Sequence, residues 1–96
     1  MLMEGETLNI KLELLLRSVD VASYIPGRIR LRSKKLVGNL KLEREIKSQL
    51  GSFNEIDTVE TSTTTGSILI TYVPDNLRSN KDLARAEKYI AKHAKK

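Results

Sequence analysis

Apolar and polar side chains alternate in the segment IPGRIRLR, which runs from Ile25 to Arg32. In a strand, successive side chains point to opposite faces of the sheet. Ile29 and Leu31 are therefore predicted to face the core. The pattern places three cations together on the opposite face: Arg28, Arg30 and Arg32.

This strand is the regular part of a longer extended segment, residues 19–32. Pro26 has no N–H to donate, and Gly27 is conformationally free. The segment is therefore predicted to bend or bulge at these two residues without leaving the extended conformation.

Two later segments have the period of amphipathic helices, from about residue 40 to 50 and from about 80 to 94. Asn39 is the predicted N-cap of the first helix. Ser79 with Asp82 approximates a capping box for the second. The inward stripes are Leu42, Ile46 and Leu50 in the first helix, and Leu83, Ala86 and Ile90 in the second.

Between the helices, residues 56–62 and 67–73 are rich in β-branched side chains and are predicted to be strands. The turn sequence TTTG, residues 63–66, joins them, which favours a β-hairpin.

The N-terminal segment 6–17 fits two patterns, since its leucines alternate as in a strand and also recur as on a helix face. Its Leu and Glu content favours a helix. We divide the chain into an N-terminal extension, residues 1–18, either helix or strand, and one domain, residues 19–96.

The element order is (α)-β-α-β-β-α. A right-handed β-α-β crossover followed by a hairpin predicts an α+β fold, a ferredoxin-like two-layer sandwich with an antiparallel sheet and helices on one face. The fourth strand of that fold is missing from the prediction. Three solutions stay open: a three-stranded sheet, a strand supplied by residues 7–16, or a strand from another copy.

The amino-acid composition excludes several kinds of catalytic and metal-binding site. The chain has 96 residues, a net charge of +5 and no cysteine, so thiolate nucleophiles, disulfides and Cys metal sites are excluded. The lone His93 and the two methionines do not make a three- or four-ligand metal site. No apolar run approaches a membrane span, and a cytoplasmic location is expected. No phosphate-binding loop or nucleophile motif occurs, so no enzyme activity and no cofactor are expected.

Two motifs resemble a known family. PGRIRL (residues 26–31) and TGSILITY (residues 65–72), in this order and about forty residues apart, resemble the heavy-metal-associated-like domains of the second, cysteine-free kind. The resemblance covers roughly residues 10–75. It implies a ferredoxin-like fold and a setting in metal homeostasis, where such domains stand alone or precede metal-transporting P-type ATPases.

The resemblance brings no metal site to this chain. Metal-carrying relatives place C-x-x-C in the loop after the first strand, where this chain has SKKLVGN, residues 33–39. Many cysteine-free members have His before the P-G-R motif, whereas this chain has VASY, residues 21–24.

The leading hypothesis is a non-enzymatic binding or regulatory module that docks on an acidic protein surface or transporter domain through the open sheet face. Single-stranded nucleic acid is the alternative partner, with Tyr24 or Tyr72 stacking on bases. Homo-oligomerisation through a sheet edge is a third hypothesis. Acids such as Glu60 that neutralise the arginines would make the face merely solvated. The candidate partner-binding residues are Arg28, Arg30, Arg32, Lys34, Lys35, Gly27 and Tyr72.

Overall fold

The structure is a computed structural model that describes residues 19–94. Its centre is one four-stranded sheet in the spatial order β1-β2-β4-β3, and every neighbouring pair is antiparallel. The predicted α+β class is confirmed, and the arrangement is compatible with a ferredoxin-like sandwich. The strands are β1 Asp20–Ile25, β2 Arg28–Arg32, β3 Ile56–Ser62 and β4 Ser67–Tyr72.

Three α-helices and one 3-10 turn complete the described fold. The 3-10 turn Lys34–Leu36 follows β2 directly. The helices are α1 Leu40–Gly51, α2 Pro74–Arg78 and α3 Lys81–His93. The predicted N-cap of α1 is confirmed, because the side chain of Asn39 accepts a hydrogen bond from the N–H of Leu42 at 3.0 Å.

The core lies between the helices and one face of the sheet. Helix α1 packs against β3, and α3 packs against β1. Burying these apolar side chains supplies the main favourable term of folding. The buried strand residues include Ile29, Leu31, Ile68, Ile70 and Tyr72, and the buried helix residues include Ile46, Leu50, Leu83 and Ile90.

The fourth strand corrects the sequence-based prediction. Residues 19–32 are not one bent strand but two antiparallel strands, β1 and β2, joined by Pro26 and Gly27. Gly27 adopts a φ of 95°, a left-handed conformation that lets a two-residue turn reverse the chain. The fourth strand of this sheet, for which the sequence left three solutions open, is therefore β1.

The predicted N-cap residue of the last helix, Ser79, was also wrong. Asn80 caps α3, and its side-chain oxygen accepts from the N–H groups of Asp82 and Leu83 at 3.0 and 3.3 Å. Ser79 instead follows the short helix α2, which begins at Pro74. Proline suits a first helical position because that N–H has no partner within the helix.

The helix-or-strand question for residues 6–17 and the boundary proposed at residue 18 lie outside the described residues. Within residues 19–94, no helix combines the length and the apolar character that a membrane crossing requires.

Candidate functional site

Strand β2 separates its side chains into a buried row and an exposed row. Ile29 and Leu31 are only 3% and 1% exposed, whereas the three arginines between and beside them are exposed. Alternate residues of a strand lie about 7 Å apart, so the guanidinium groups leave one face of the sheet at that interval. The predicted placement of the arginine row is confirmed: Arg28, Arg30 and Arg32.

Short polar and aliphatic side chains flank Arg28 and Arg30 in the neighbouring strands. Arg30 lies directly between Ser23 of β1 and Leu69 of β4, and Arg28 lies between Ile25 and Thr71. Directly opposed residues share a face, so these side chains flank the arginines on the open side of the sheet. A shallow depression is lined by Ser23, Ile25, Arg28 and Arg30. We call this surface the arginine face: Ser23, Ile25, Arg28, Arg30, Arg32, Leu69 and Thr71.

None of the three arginines forms an ion pair within residues 19–94, although Asp20 lies directly opposite Arg32 in the register of β1 and β2. The one ion pair within residues 19–94 joins Arg78 to Glu87, on the other side of the sheet. Glu60 is opposite Leu69, so strand β4 separates it from the arginine strand by about 10 Å. The alternative in which Glu60 pairs with the arginines is not observed in this part of the chain. A row of like charges attracts a surface of opposite charge.

Tyr72 does not lie on the arginine face. It is 4% exposed and lies on the buried side of β4, where its hydroxyl donates to the Glu87 carboxylate at 2.7 Å. Tyr24 donates to the same carboxylate oxygen at 3.0 Å from the edge strand β1. The two tyrosines considered for base stacking are therefore engaged beneath the sheet, with their hydroxyl groups bound to helix α3.

Glu87 is a buried carboxylate that the sequence analysis did not identify. Arg78 donates to it from Nε at 2.8 Å and from Nη2 at 3.2 Å, which completes a set of four hydrogen bonds. A signal was present in the sequence, since Glu87 lies four residues after Leu83 and three before Ile90, on the inward stripe of α3. We call this set the Glu87 cluster: Glu87, Tyr24, Tyr72 and Arg78.

The Glu87 cluster shifts the pKa values of its members in opposite directions. Burial acts to raise the pKa of Glu87, but hydrogen bonds from Arg78, Tyr72 and Tyr24 outweigh it and hold that pKa below its ordinary value. Burial, together with the neighbouring carboxylate, raises the pKa of the Tyr72 and Tyr24 hydroxyls. At neutral pH the cluster therefore holds an ionised carboxylate and two neutral tyrosines.

Gly27 forms the turn at one end of the arginine face and is required there for its backbone conformation. Its carbonyl oxygen accepts a hydrogen bond from the N–H of Tyr72 at 3.0 Å. A Cβ atom on this residue would lie 3.1 Å from the Tyr72 carbonyl oxygen and would hold a φ of 95°. Glycine is needed here to close the turn that brings Ile25 beside Arg28.

Lys34 and Lys35 lie beyond the end of β2, on the 3-10 turn rather than in the sheet. The side chain of Ser33 accepts a hydrogen bond from the N–H of Lys35 at 3.2 Å, and Leu36 is fully buried below. The two lysines are exposed and continue the cationic surface past Arg32.

No group of three or more His, Asp or Glu side chains that could hold a metal ion occurs within residues 19–94. His93 stacks on Tyr89, with ring centroids 4.1 Å apart, and its Nδ1 lies 2.8 Å from the Tyr89 carbonyl oxygen. The lone histidine is thus an exposed residue at the end of α3.

Comparison with known proteins gives the family. A sequence model of the heavy metal associated domain 2 family matches residues 9–86, which is most of the chain and includes both predicted motifs. Comparisons with curated proteins and with solved structures gave no significant match. The chain belongs to the heavy metal associated domain 2 family, whose domains are small metal-related binding modules.

Proposed function

We propose that this domain is a non-enzymatic docking module that binds an acidic protein surface through its arginine face. The setting is metal homeostasis, and the partner is a metal-transporting P-type ATPase or a protein acting beside one. Family membership supports the metal-related setting. The cytoplasmic location expected from the sequence stays a prediction.

One observation carries the proposal: three arginines share an open face and form no ion pair within the described residues. Arginine is suited to such a surface because its planar guanidinium binds carboxylates through two hydrogen bonds and is weakly hydrated. Arginine is also enriched in protein interfaces. The partner surface is therefore expected to carry carboxylates.

The apolar side chains of the arginine face support a protein partner. Ile25 is 60% exposed, and Leu69 lies beside Arg30 on the same face. A protein interface combines an apolar centre with charged groups near its rim. The arginine face thus presents apolar side chains and charged groups on one surface, where a single helix or strand of a partner could contact both.

Single-stranded nucleic acid remains the second candidate with weaker support. With this partner the arginines would bind the backbone phosphates. Base recognition on a sheet of this kind uses exposed aromatic side chains. Tyr24 and Tyr72 are bonded to Glu87 on the other side, so the described part of the arginine face offers no aromatic ring for stacking.

The test compares two charge reversals in the full chain. The cytoplasmic domains of metal-transporting P-type ATPases from the same organism are the probes, and affinity is measured by titration calorimetry. Arg30→Glu at the centre of the arginine face is expected to weaken binding at least tenfold. Arg85→Glu, an exposed position of α3, is the matched control and is expected to leave affinity unchanged. Equal affinity for both variants would refute docking through this face.

A further inference from the structure

The loop after β2 forms a second exposed surface, at one end of the sheet. Two of the four large hydrophobic side chains exposed in residues 19–94 lie here: Val37 is 53% exposed and Leu40 is 60% exposed. Exposed lysines precede and follow them in the sequence. We call this surface the lysine tip: Lys34, Lys35, Val37, Leu40 and Lys41.

The lysine tip is held rigidly to the fold. Leu36 is fully buried and anchors the 3-10 turn in the core. The N–H of Gly38 donates to the Thr63 carbonyl oxygen at 2.9 Å, and the N–H of Ser33 donates to the Gly66 carbonyl oxygen at 2.8 Å. The apolar side chains are thus presented outward by a fixed backbone, although burying them would be favourable.

We propose that the lysine tip binds an anionic lipid surface, with Val37 and Leu40 inserted at the boundary between headgroups and acyl chains. Exposed apolar side chains with lysines close to them in the sequence are typical of segments that lie on such membranes. The lysines contact headgroup phosphates while the two apolar side chains leave water. Each lysine near an anionic surface adds to the attraction.

The chemistry of the tip favours lipid over a protein partner. Its cations are lysines, which are depleted in protein interfaces and bind phosphate as point charges. The arginine face, by contrast, carries arginines beside a shallow depression, and this proposal does not rest on docking at that face.

The orientation that results leaves the arginine face free. Ile25 and Val73, the other two exposed large hydrophobic residues of residues 19–94, lie at the opposite end of β2, next to the Gly27 turn. A domain standing on a membrane by its lysine tip would therefore hold the turn end away from the lipid. The sheet face would be directed sideways along the membrane surface.

Vesicle co-sedimentation of the full chain tests the proposal. The probes are vesicles of phosphatidylcholine alone and of equal parts phosphatidylcholine and phosphatidylserine. We expect binding to the mixed vesicles only, weakened by added salt. Val37→Ser with Leu40→Ser should lower the partition coefficient roughly tenfold. The matched control, Ile25→Ser with Val73→Ser, should leave it unchanged.

A second pair of variants tests the charges. Lys34→Ala with Lys35→Ala should weaken binding to the mixed vesicles roughly tenfold. Lys81→Ala with Lys88→Ala, two exposed lysines of α3, should have little effect. If the α3 pair carries the binding and the tip pair does not, the basic helix is the membrane surface and the proposal is wrong.

Fluorescence reports insertion directly, because the chain contains no tryptophan. Leu40→Trp should show a blue shift of its emission on mixed vesicles, and Val73→Trp should not. No shift at residue 40, or no binding of the unmodified chain to anionic vesicles, would overturn the proposal. Loss of a protein complex in the tip variants without any vesicle binding would assign the tip to a protein instead.

Discussion

The Tyr72 hydroxyl donates a 2.7 Å hydrogen bond to the carboxylate of Glu87, which ties strand β4 to helix α3 beneath the sheet. Tyr24 makes the corresponding bond from β1, and Arg78 closes the carboxylate from its solvent side. A buried charge is costly unless it is fully hydrogen-bonded. The Glu87 cluster meets that condition, and no buried side-chain polar atom of the described residues lacks a partner.

Replacing Glu87 by glutamine should destabilise the domain. Glu87→Gln removes the negative charge that four donors share, and the amide group cannot accept all of their bonds. We expect a loss of about 2 kcal/mol in the free energy of unfolding, measured by urea denaturation. Glu45→Gln, an exposed position of α1, should change stability by less than about 0.5 kcal/mol. Equal effects would contradict the role assigned to the cluster.

Acid should weaken the native protein through Glu87. Its pKa is held below the ordinary value of 4.5 in the fold, so the unfolded chain binds this proton more readily. The stabilisation is therefore present above about pH 4.5 and is lost as pH falls through the folded pKa. The difference in melting temperature between the unmodified chain and Glu87→Gln should shrink between pH 6 and pH 3. A constant difference in melting temperature over that range would refute the proposed contribution of Glu87 to acid sensitivity.

Alkali should act through Tyr72 with the opposite sign. Burial and the Glu87 carboxylate raise the pKa of Tyr72 above its ordinary value of 10.0, so the unfolded chain loses this proton first. The stabilisation that Tyr72 contributes is fully present below about pH 10 and is lost as pH rises further. Tyr72→Phe should cost about 1–2 kcal/mol at pH 7 and should flatten the decline above pH 10. An equally steep decline above pH 10 in Tyr72→Phe would contradict this role of Tyr72.

Replacement by alanine should destabilise the domain at Gly27 but not at Gly51. Gly27→Ala places a Cβ 3.1 Å from a backbone oxygen at a φ of 95°, and we expect it to cost about 1–3 kcal/mol. Gly51 is the last residue of α1 and has open space around it. Gly51→Ala should be neutral or stabilising by about 0.5 kcal/mol. Thermal denaturation of both variants tests whether the turn requires glycine at residue 27. An unchanged melting temperature for Gly27→Ala would refute that requirement.

The sequence predicted those features that depend on local periodicity. Alternation in residues 28–32 is enough to assign the buried and exposed rows of β2, since the period of a strand is two. The apolar stripe and Asn39 are likewise enough to place the start of α1. Both signals are read from neighbouring residues and need no knowledge of the fold.

The sequence analysis missed features that depend on contacts between residues far apart in the chain. Pro26 and Gly27 were interpreted as a bulge because a turn and a bulge use the same residue types, and only pairing with β2 distinguishes them. Tyr72 was assigned to the arginine face, although the alternation of side chains in β4 does not by itself show which set faces the core. Its acceptor lies 15 residues later, on a helix whose position the sequence did not fix.

The most direct test of docking through the arginine face is an amide chemical-shift titration of the labelled chain. The titrant is the cytoplasmic domain of a metal-transporting P-type ATPase from the same organism. We predict saturable shifts at Ser23, Ile25, residues 28–32 and Leu69, absent from the Arg30→Glu variant. Shifts confined to α3, or no shifts at concentrations where a control pair binds, would contradict the account.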